Sequence, residues 1–335
     1  MPNSTFPAVI SFADKKNSTP VITARFGDED DEDFGVRMAN AVEVQEIDIN
    51  LYMSKELWLP AGARGAFGGQ IVAQALRAAF YTVADEFDIH SLHSYFILPG
   101  NVEVPVIYQV QRLRDGRSYA TRFVTASQKG KAIFVCSFSF TKPDTSVQLN
   151  HQTEIPKVPE PDSLPSDVEL LQKALDQNDL PPKYREFIKI QIEESSPVDY
   201  REINIPQPSL IARRWFKTRG QLGLDKRLHA CVIAYASDSG FVGTAAKVNG
   251  VPSRGIGMLA SLDHSMWFHA PAKADSWLLY DMHSPRTSNG RGMAFGRIYS
   301  KDGTLVATTA QEGVLRLSKR EQEKRRNLIE SRSKL

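Results

Sequence analysis

Gly68-Gly-Gln-Ile-Val-Ala-Gln-Ala-Leu-Arg-Ala-Ala-Phe80 and Leu228-His-Ala-Cys-Val-Ile-Ala-Tyr-Ala-Ser-Asp238 are the two stretches whose reading decides the fold. In and just beyond the first, Ile71, Val72, Ala75, Leu76, Ala79, Phe80 and Val83 recur at three-to-four spacing. That period describes one long helix with a buried face. The second is apolar on every side over 230–236, which suits a helix only where neighbours surround it. Strand-like segments follow the first helix at 93–98, 104–113, 119–127 and 132–140, with Asp115-Gly116 and Lys129-Gly130 as hairpin turns. Others follow the second at 265–269, 277–281, 292–300 and 304–317.

The two halves repeat. Gly116-Arg117 matches Gly290-Arg291 and Gly130 matches Gly303, at separations of 14 and 13 residues, and Ser91-Leu92 matches Ser261-Leu262. Each unit is strands, one long helix, then an antiparallel sheet, and a sheet that curls around a single helix buries it. The expected class is α+β, with two such units.

Around these units the chain divides into five parts. Residues 1–40 are polar, with only Asp and Glu from 28 to 33; such a block repels itself, so this extension is expected to be disordered or loosely attached. The first unit spans 41–142 and opens on Val42, Val44, Ile47 and Ile49. Residues 143–197 are a proline-rich linker in which Ser166-Asp-Val-Glu169 is a capping box for a short helix. The second unit spans 198–317. The tail, 318–335, is charged almost throughout and is expected to stay solvated, and its final Ser333, Lys334 and Leu335 read as a peroxisomal import address, which names an import receptor as a partner.

Composition excludes several classes. At 335 residues, 41% hydrophobic and 24% charged, the chain suits two globular units and a connector. A net charge of +2 with no basic stripe among aromatics predicts no nucleic-acid surface. Cys136 and Cys231 stand apart with no CxxC, so no zinc site is readable and no metal or cofactor is expected. The longest apolar run, 230–236, is too short for a membrane span.

Gly255-Ile-Gly257-Met-Leu-Ala260 matches GxGxxA but precedes a strand where a dinucleotide site needs a helix. No GxSxG elbow and no GxxxxGK[ST] loop occurs, so any serine-esterase-like chemistry would lack its usual elbow. The glycine-rich turn Gly62-Ala-Arg-Gly65-Ala-Phe-Gly68-Gly69 has two readings. Its amides at a helix start could hold an oxyanion or a CoA group, or its glycines could serve tight packing, and Gln70 suits either. Asp263-His264-Ser265 cannot form a Ser-His-Asp triad, because neighbours in a strand face opposite ways; His264 reads as structural, and His93 calls for the same caution. Asp238 closes an apolar helix, where an unpaired carboxylate is expensive unless it turns to solvent. If Gly303 aligns with Gly130, Gln311 stands where the first repeat has Phe138: either one half kept a site and the other became scaffold, or a solvent-facing position diverged.

The segments LWLPAGARGAFGGQIVAQAL, HSLHSYFILPGN, YASD, SLDHSMWFHAP and TAQEGVLR, in this order and spacing, resemble type II acyl-CoA thioesterases over about residues 41–317. The resemblance implies a double hotdog, an acyl-CoA substrate, and hydrolysis to fatty acid and CoA. It places the family's catalytic Asp on Asp238, its hydroxyl residue on Ser261, where bacterial relatives typically have Thr, and its Gln on Gln311. It implies that Asp238 acts as base on a water held by Ser261 and Gln311, and the helix-start loop (Gly68, Gly69, Gln70) is a possible place for the oxyanion or for CoA. Oligomeric state is open from the residues, though double hotdogs often pair further, so a homo-oligomer is an implied partner. Arg64, Arg117, Arg254 and Arg291 are unranked candidates for CoA's phosphates. Two rivals remain: a hotdog enoyl-CoA hydratase, whose Asp-x-Asn-x-x-His run is absent, and a non-catalytic acyl-CoA-binding protein.

Overall fold

The computed structural model describes residues 31–61, 63–176, 180–193, 196–206 and 209–332. The first half runs α1 (Asp31–Val42), β1 (Val44–Asp48), β2 (Leu51–Ser54), α2 (Gly68–Phe80), β3 (Asp88–Phe96), β4 (Ile107–Asp115), β5 (Tyr119–Gln128) and β6 (Lys131–Thr141). Two helices, α3 (Asp167–Leu175) and α4 (Pro182–Glu193), lie in the connector. The second half begins with β7 (Val198–Ile203), β8 (Ile211–Thr218), α5 (Lys226–Asp238) and α6 (Gly243–Lys247). It continues through β9 (Ile256–Ser261), β10 (Asp263–Phe268), β11 (Leu278–Ser288), β12 (Arg291–Ser300) and β13 (Leu305–Leu317) to α7 (Lys319–Arg332).

The strands form one antiparallel sheet in the order β1-β2-β4-β5-β6-β3-β10-β13-β12-β11-β8-β7, with β9 added against β13. The halves meet at β3 and β10, where Leu92 faces Met266 and His93 faces Ser265. Alternation along β5 and β6 turns Val124, Ala126, Phe138 and Phe140 inward onto Val72, Leu76 and Phe80 of α2. Val232, Ile233 and Ala236 of α5 join the same core. Each fully buried large side chain contributes about 1.5–3 kcal/mol, so this shared core binds the two repeats into one body. The fold is a double hotdog.

α2 and α5 lie side by side and antiparallel. Arg77, in the last turn of α2, pairs with Asp225, the N-cap of α5, at 2.9 Å. At the other end a side chain on Gly69 would fall 2.3 Å from the Tyr235 carbonyl of α5. Glycine there permits an approach that no other residue allows.

The structure corrects four expectations. Residues 31–40 are not a loose extension: Phe34, Met38, Ala41 and Val42 of α1 are buried, a stripe that the acidic run before it concealed. Residues 1–30 lie outside the described residues. The connector does more than cross between units. Ile155, Val158 and Leu164 cover Trp215, Leu279 and Tyr299 on the sheet's outer face, and Trp215 Nε1 donates to Pro159 O at 2.9 Å. The tail through Arg332 is helical and largely exposed, yet Glu321 is buried; Ser333, Lys334 and Leu335 lie outside the described residues. The Ser91-Leu92 match with Ser261-Leu262 fails, because Ser91 sits within β3 while Ser261 ends β9, the strand off the main path of the sheet.

Candidate active site

Asp238 is the last residue of α5. The chain leaves the helix at Ser239 and turns at Gly240, whose φ of +64° is left-handed. The preceding turns are core, so the carboxylate is held inside the molecule and is only 8% exposed. Its Oδ2 lies against the start of α2: a side chain on Gly68 would stand 2.7 Å from it. The N-cap of α2, Phe67, supplies no side-chain cap, and the Gly68 and Gly69 amides donate no hydrogen bond among the described residues. The positive end of the α2 dipole therefore meets the Asp238 carboxylate.

Gln311 comes from the middle of β13 and is fully buried. Its Nε2 donates to Asp238 Oδ1 and to Ser261 Oγ, both at 2.7 Å. Ser261 Oγ donates to the same Oδ1 at 3.4 Å. Two side chains, from β9 and β13, thus converge on one oxygen of the carboxylate that ends α5, and leave Oδ2 to the helix start. A bulge makes this possible. Ser261 pairs with Gly313 and Ser265 with Ala310, so four steps on the β9–β10 side run against three on β13. The extra residue, at Leu262, re-aims Ser261 toward Asp238.

Neighbouring groups are engaged elsewhere. His264 is buried with Nε2 at 2.9 Å from Ser237 Oγ; burial lowers its pKa, opposed by the Asp238 charge and the Gln311 side chain. Asp263 Oδ1 accepts from Glu312 N at 2.8 Å, while Ser265 Oγ meets His93 Nδ1 at 3.1 Å. The Asp-His-Ser run is therefore no triad. Ser261 bonds to Gln311 and Asp238 and not to a histidine, which is not a serine-esterase arrangement.

Of the proposed oxyanion loop, Gly68 lies against the carboxylate and Gly69 against the Tyr235 carbonyl, but the Gln70 side chain turns away. Its Oε1 accepts from Trp58 N at 2.7 Å, and its Nε2 donates to Ala41 O at 2.9 Å and Glu56 O at 3.2 Å. A helix-start amide side chain has two possible roles, and here it ties down the N-terminal segment. Gly62 lies outside the described residues. Gly255-Ile-Gly257-Met-Leu-Ala260 leads into and forms β9, and a side chain on Gly257 would fall 2.9 Å from Leu317 O. That glycine serves packing. Sequence reasoning missed the contact of Gly68 with Asp238 and the bulge at Leu262, which no local pattern announces.

The chain has counterparts among known proteins. Residues 55–141 match the family model described as acyl-CoA thioesterase N-terminal domain, and 154–315 match the acyl-CoA thioesterase C-terminal domain. The chain is 39% identical to mouse acyl-coenzyme A thioesterase 8 over 289 residues, 84% of this chain and 89% of that one. It is 26% identical to the peroxisomal acyl-coenzyme A thioester hydrolase 1 of Saccharomyces cerevisiae, over 76% of this chain and 86% of the yeast protein. The solved structure of an acyl-CoA thioesterase II from Mycobacterium marinum superposes with a TM-score of 0.66 at 32% identity, covering 84% of this chain and 99% of that one.

Proposed function

Because the chain belongs to the acyl-CoA thioesterase family, we propose that Asp238, Ser261 and Gln311 hydrolyse fatty acyl-CoA to free fatty acid and CoA by directing a water onto the thioester carbonyl. The observation that carries the reading is the convergence of Gln311 Nε2 and Ser261 Oγ on Asp238 Oδ1, which leaves Oδ2 beside the start of α2.

Asp238 Oδ2 accepts a proton from the water as the oxygen attacks the carbonyl carbon. Gln311 and Ser261 fix the carboxylate's rotation, so the base meets the water in one orientation. The tetrahedral intermediate's oxyanion takes the Gly68 and Gly69 amides, where the helix dipole favours negative charge. Collapse breaks the carbon–sulfur bond, and the proton held by Asp238 goes to the departing thiolate. No acyl-enzyme forms, and no histidine is needed.

Thiol release from a panel of acyl-CoAs tests the reaction. Steady production of CoA thiol by the wild-type chain, abolished in Asp238→Asn with the fold retained, is the expected result. Hydration of an enoyl-CoA without thiol release would identify a hydratase, and binding without turnover a carrier. A radiolabelled acyl-enzyme trapped during turnover would refute direct attack by water.

The site of action in this reading is the peroxisome. The closing Ser333-Lys334-Leu335 supports it, as does likeness to the yeast peroxisomal thioester hydrolase. Removal of Leu335 should leave a fluorescent fusion in the cytosol, and continued peroxisomal import would show another route of entry.

A further inference from the structure

Beside the Asp238 cluster lies a cavity of about 610 Å³, a size that suits a large organic ligand. Its inner end is formed by Phe67, the N-cap of α2, with Tyr235 and Ser239, which flank Asp238 in the chain. From there it passes the edge strand β7, whose Tyr200 and Arg201 both line it although they point to opposite faces of the sheet. The cavity therefore wraps around the free edge of the sheet, roofed by α3 and α4 from the connector.

Its chemistry changes along that path. The inner end is aromatic, and the buried Tyr235 hydroxyl has no hydrogen-bond partner among the described residues. A ligand with amide groups would supply one. The roof mixes Leu171 with Ser166 and Gln191, a wall for a chain that is partly polar rather than for a plain hydrocarbon. At the outer end Arg201 is neutralised by Asp199 through two bonds of 2.9 Å. Lys217 and Arg219 have no carboxylate partner among the described residues; they stand over the rings of Trp277 and Phe34, at 4.9 and 3.8 Å. The remaining acid, Asp167, is pushed up to about 6 by burial. Arg64, Arg117, Arg254 and Arg291 do not line this cavity.

We propose that this cavity seats the CoA half of the substrate, with the pantetheine arm along the wall from Ser239 outward and the CoA phosphates at Lys217 and Arg219. The inference rests on the acyl-CoA thioesterase reading. It makes the connector, which belongs to neither repeat, part of the substrate site, and it leaves the acyl chain to another path.

Binding and turnover together test it. Titration calorimetry with free CoA should show affinity falling about tenfold in Lys217→Ala, and again in the double variant with Arg219→Ala, as loss of a charge-assisted phosphate contact requires. Binding of pantetheine, which lacks the phosphates, should not change. In turnover, KM for acyl-CoA should rise by the same factor, while kcat/KM for the matching acyl-N-acetylcysteamine thioester stays at the wild-type value. Unchanged CoA affinity in folded Lys217→Ala and in the double variant would overturn the proposal. So would a Leu171→Trp variant that shifts chain-length preference instead of weakening CoA esters of every length alike. Phosphate-dependent CoA binding that survives in a chain without thioesterase activity would support this site and refute the activity.

Discussion

The two ends of the α2–α5 pair are related by the internal repeat, and they have taken opposite courses. α2 and α5 are both 13 residues long, so Phe80 and Asp238 are equivalent last residues. Phe138 on β6 faces Arg122 on β5 just as Gln311 on β13 faces Ala294 on β12. One end thus holds Asp238, Gln311 and the small Ala294; the other holds Phe80, Phe138 and Arg122. Phe80 meets Phe140 edge-on at 5.2 Å. Arg122, 1% exposed, fills the place beside them, donating to Thr82 Oγ1 at 2.7 Å, to Thr82 O at 2.8 Å and to Arg114 O at 2.9 Å, with an ion pair to Asp115. The helix start differs too. Asp225 caps α5 and pairs with Arg77, whereas Phe67 leaves the start of α2 uncapped beside Asp238. A hotdog helix end can be packed with aromatic side chains for stability or given a polar cluster, and this chain does one of each.

Substitutions that make one end resemble the other should break activity in graded fashion. Asp238→Asn removes the proposed base and should lower kcat by roughly two or more orders of magnitude, with circular dichroism and melting temperature near wild type. Gln311→Phe copies Phe138 and frees the carboxylate to rotate; kcat should fall about a hundredfold, the scale of losing one preorganised donor. Gly68→Ala puts a methyl 2.7 Å from Asp238 Oδ2, displacing the carboxylate or the helix start; a loss of about tenfold is expected, mostly in kcat, the scale of a small misplacement. At the packed end the sign reverses. Phe80→Ala should lower stability by about 3–5 kcal/mol in denaturant unfolding yet leave kcat within about twofold below the transition. A large kcat loss there would show that the ends are coupled rather than independent. Introducing Phe80→Asp with Phe138→Gln should create no second active site, because the buried Arg122 still stands where the other repeat has the small Ala294.

Much of the fold was legible because its periods are strong. The stripe of α2, the apolar run 230–236 of α5 and the alternation of β5, β6 and β12 follow directly from burial on one or on all sides. β8 was missed because both its faces are covered and its alternation is lost. Trp215 packs under the connector, while Arg214 is buried inside, over the Tyr200 ring at 4.4 Å, and donates to Ser239 O. α1 was missed because acidic residues dominate its opening. At the site, Asp238 read by pattern alone had two fates and Gln311 had two, and the family resemblance rather than any local signal joined them to Ser261. A sequence separation of 73 positions between Asp238 and Gln311 carries no information on their 2.7 Å approach.

By itself the sequence determined the two helices, the repeat and the strand faces, because period and composition record burial residue by residue. Tertiary structure alone decided that Asp238, Ser261 and Gln311 meet. The antiparallel pairing of α2 with α5 sets Gly68 against the Asp238 carboxylate, and one extra residue at Leu262 turns Ser261 toward it. Those are properties of register and close approach, and register exists only once strands and helices have met.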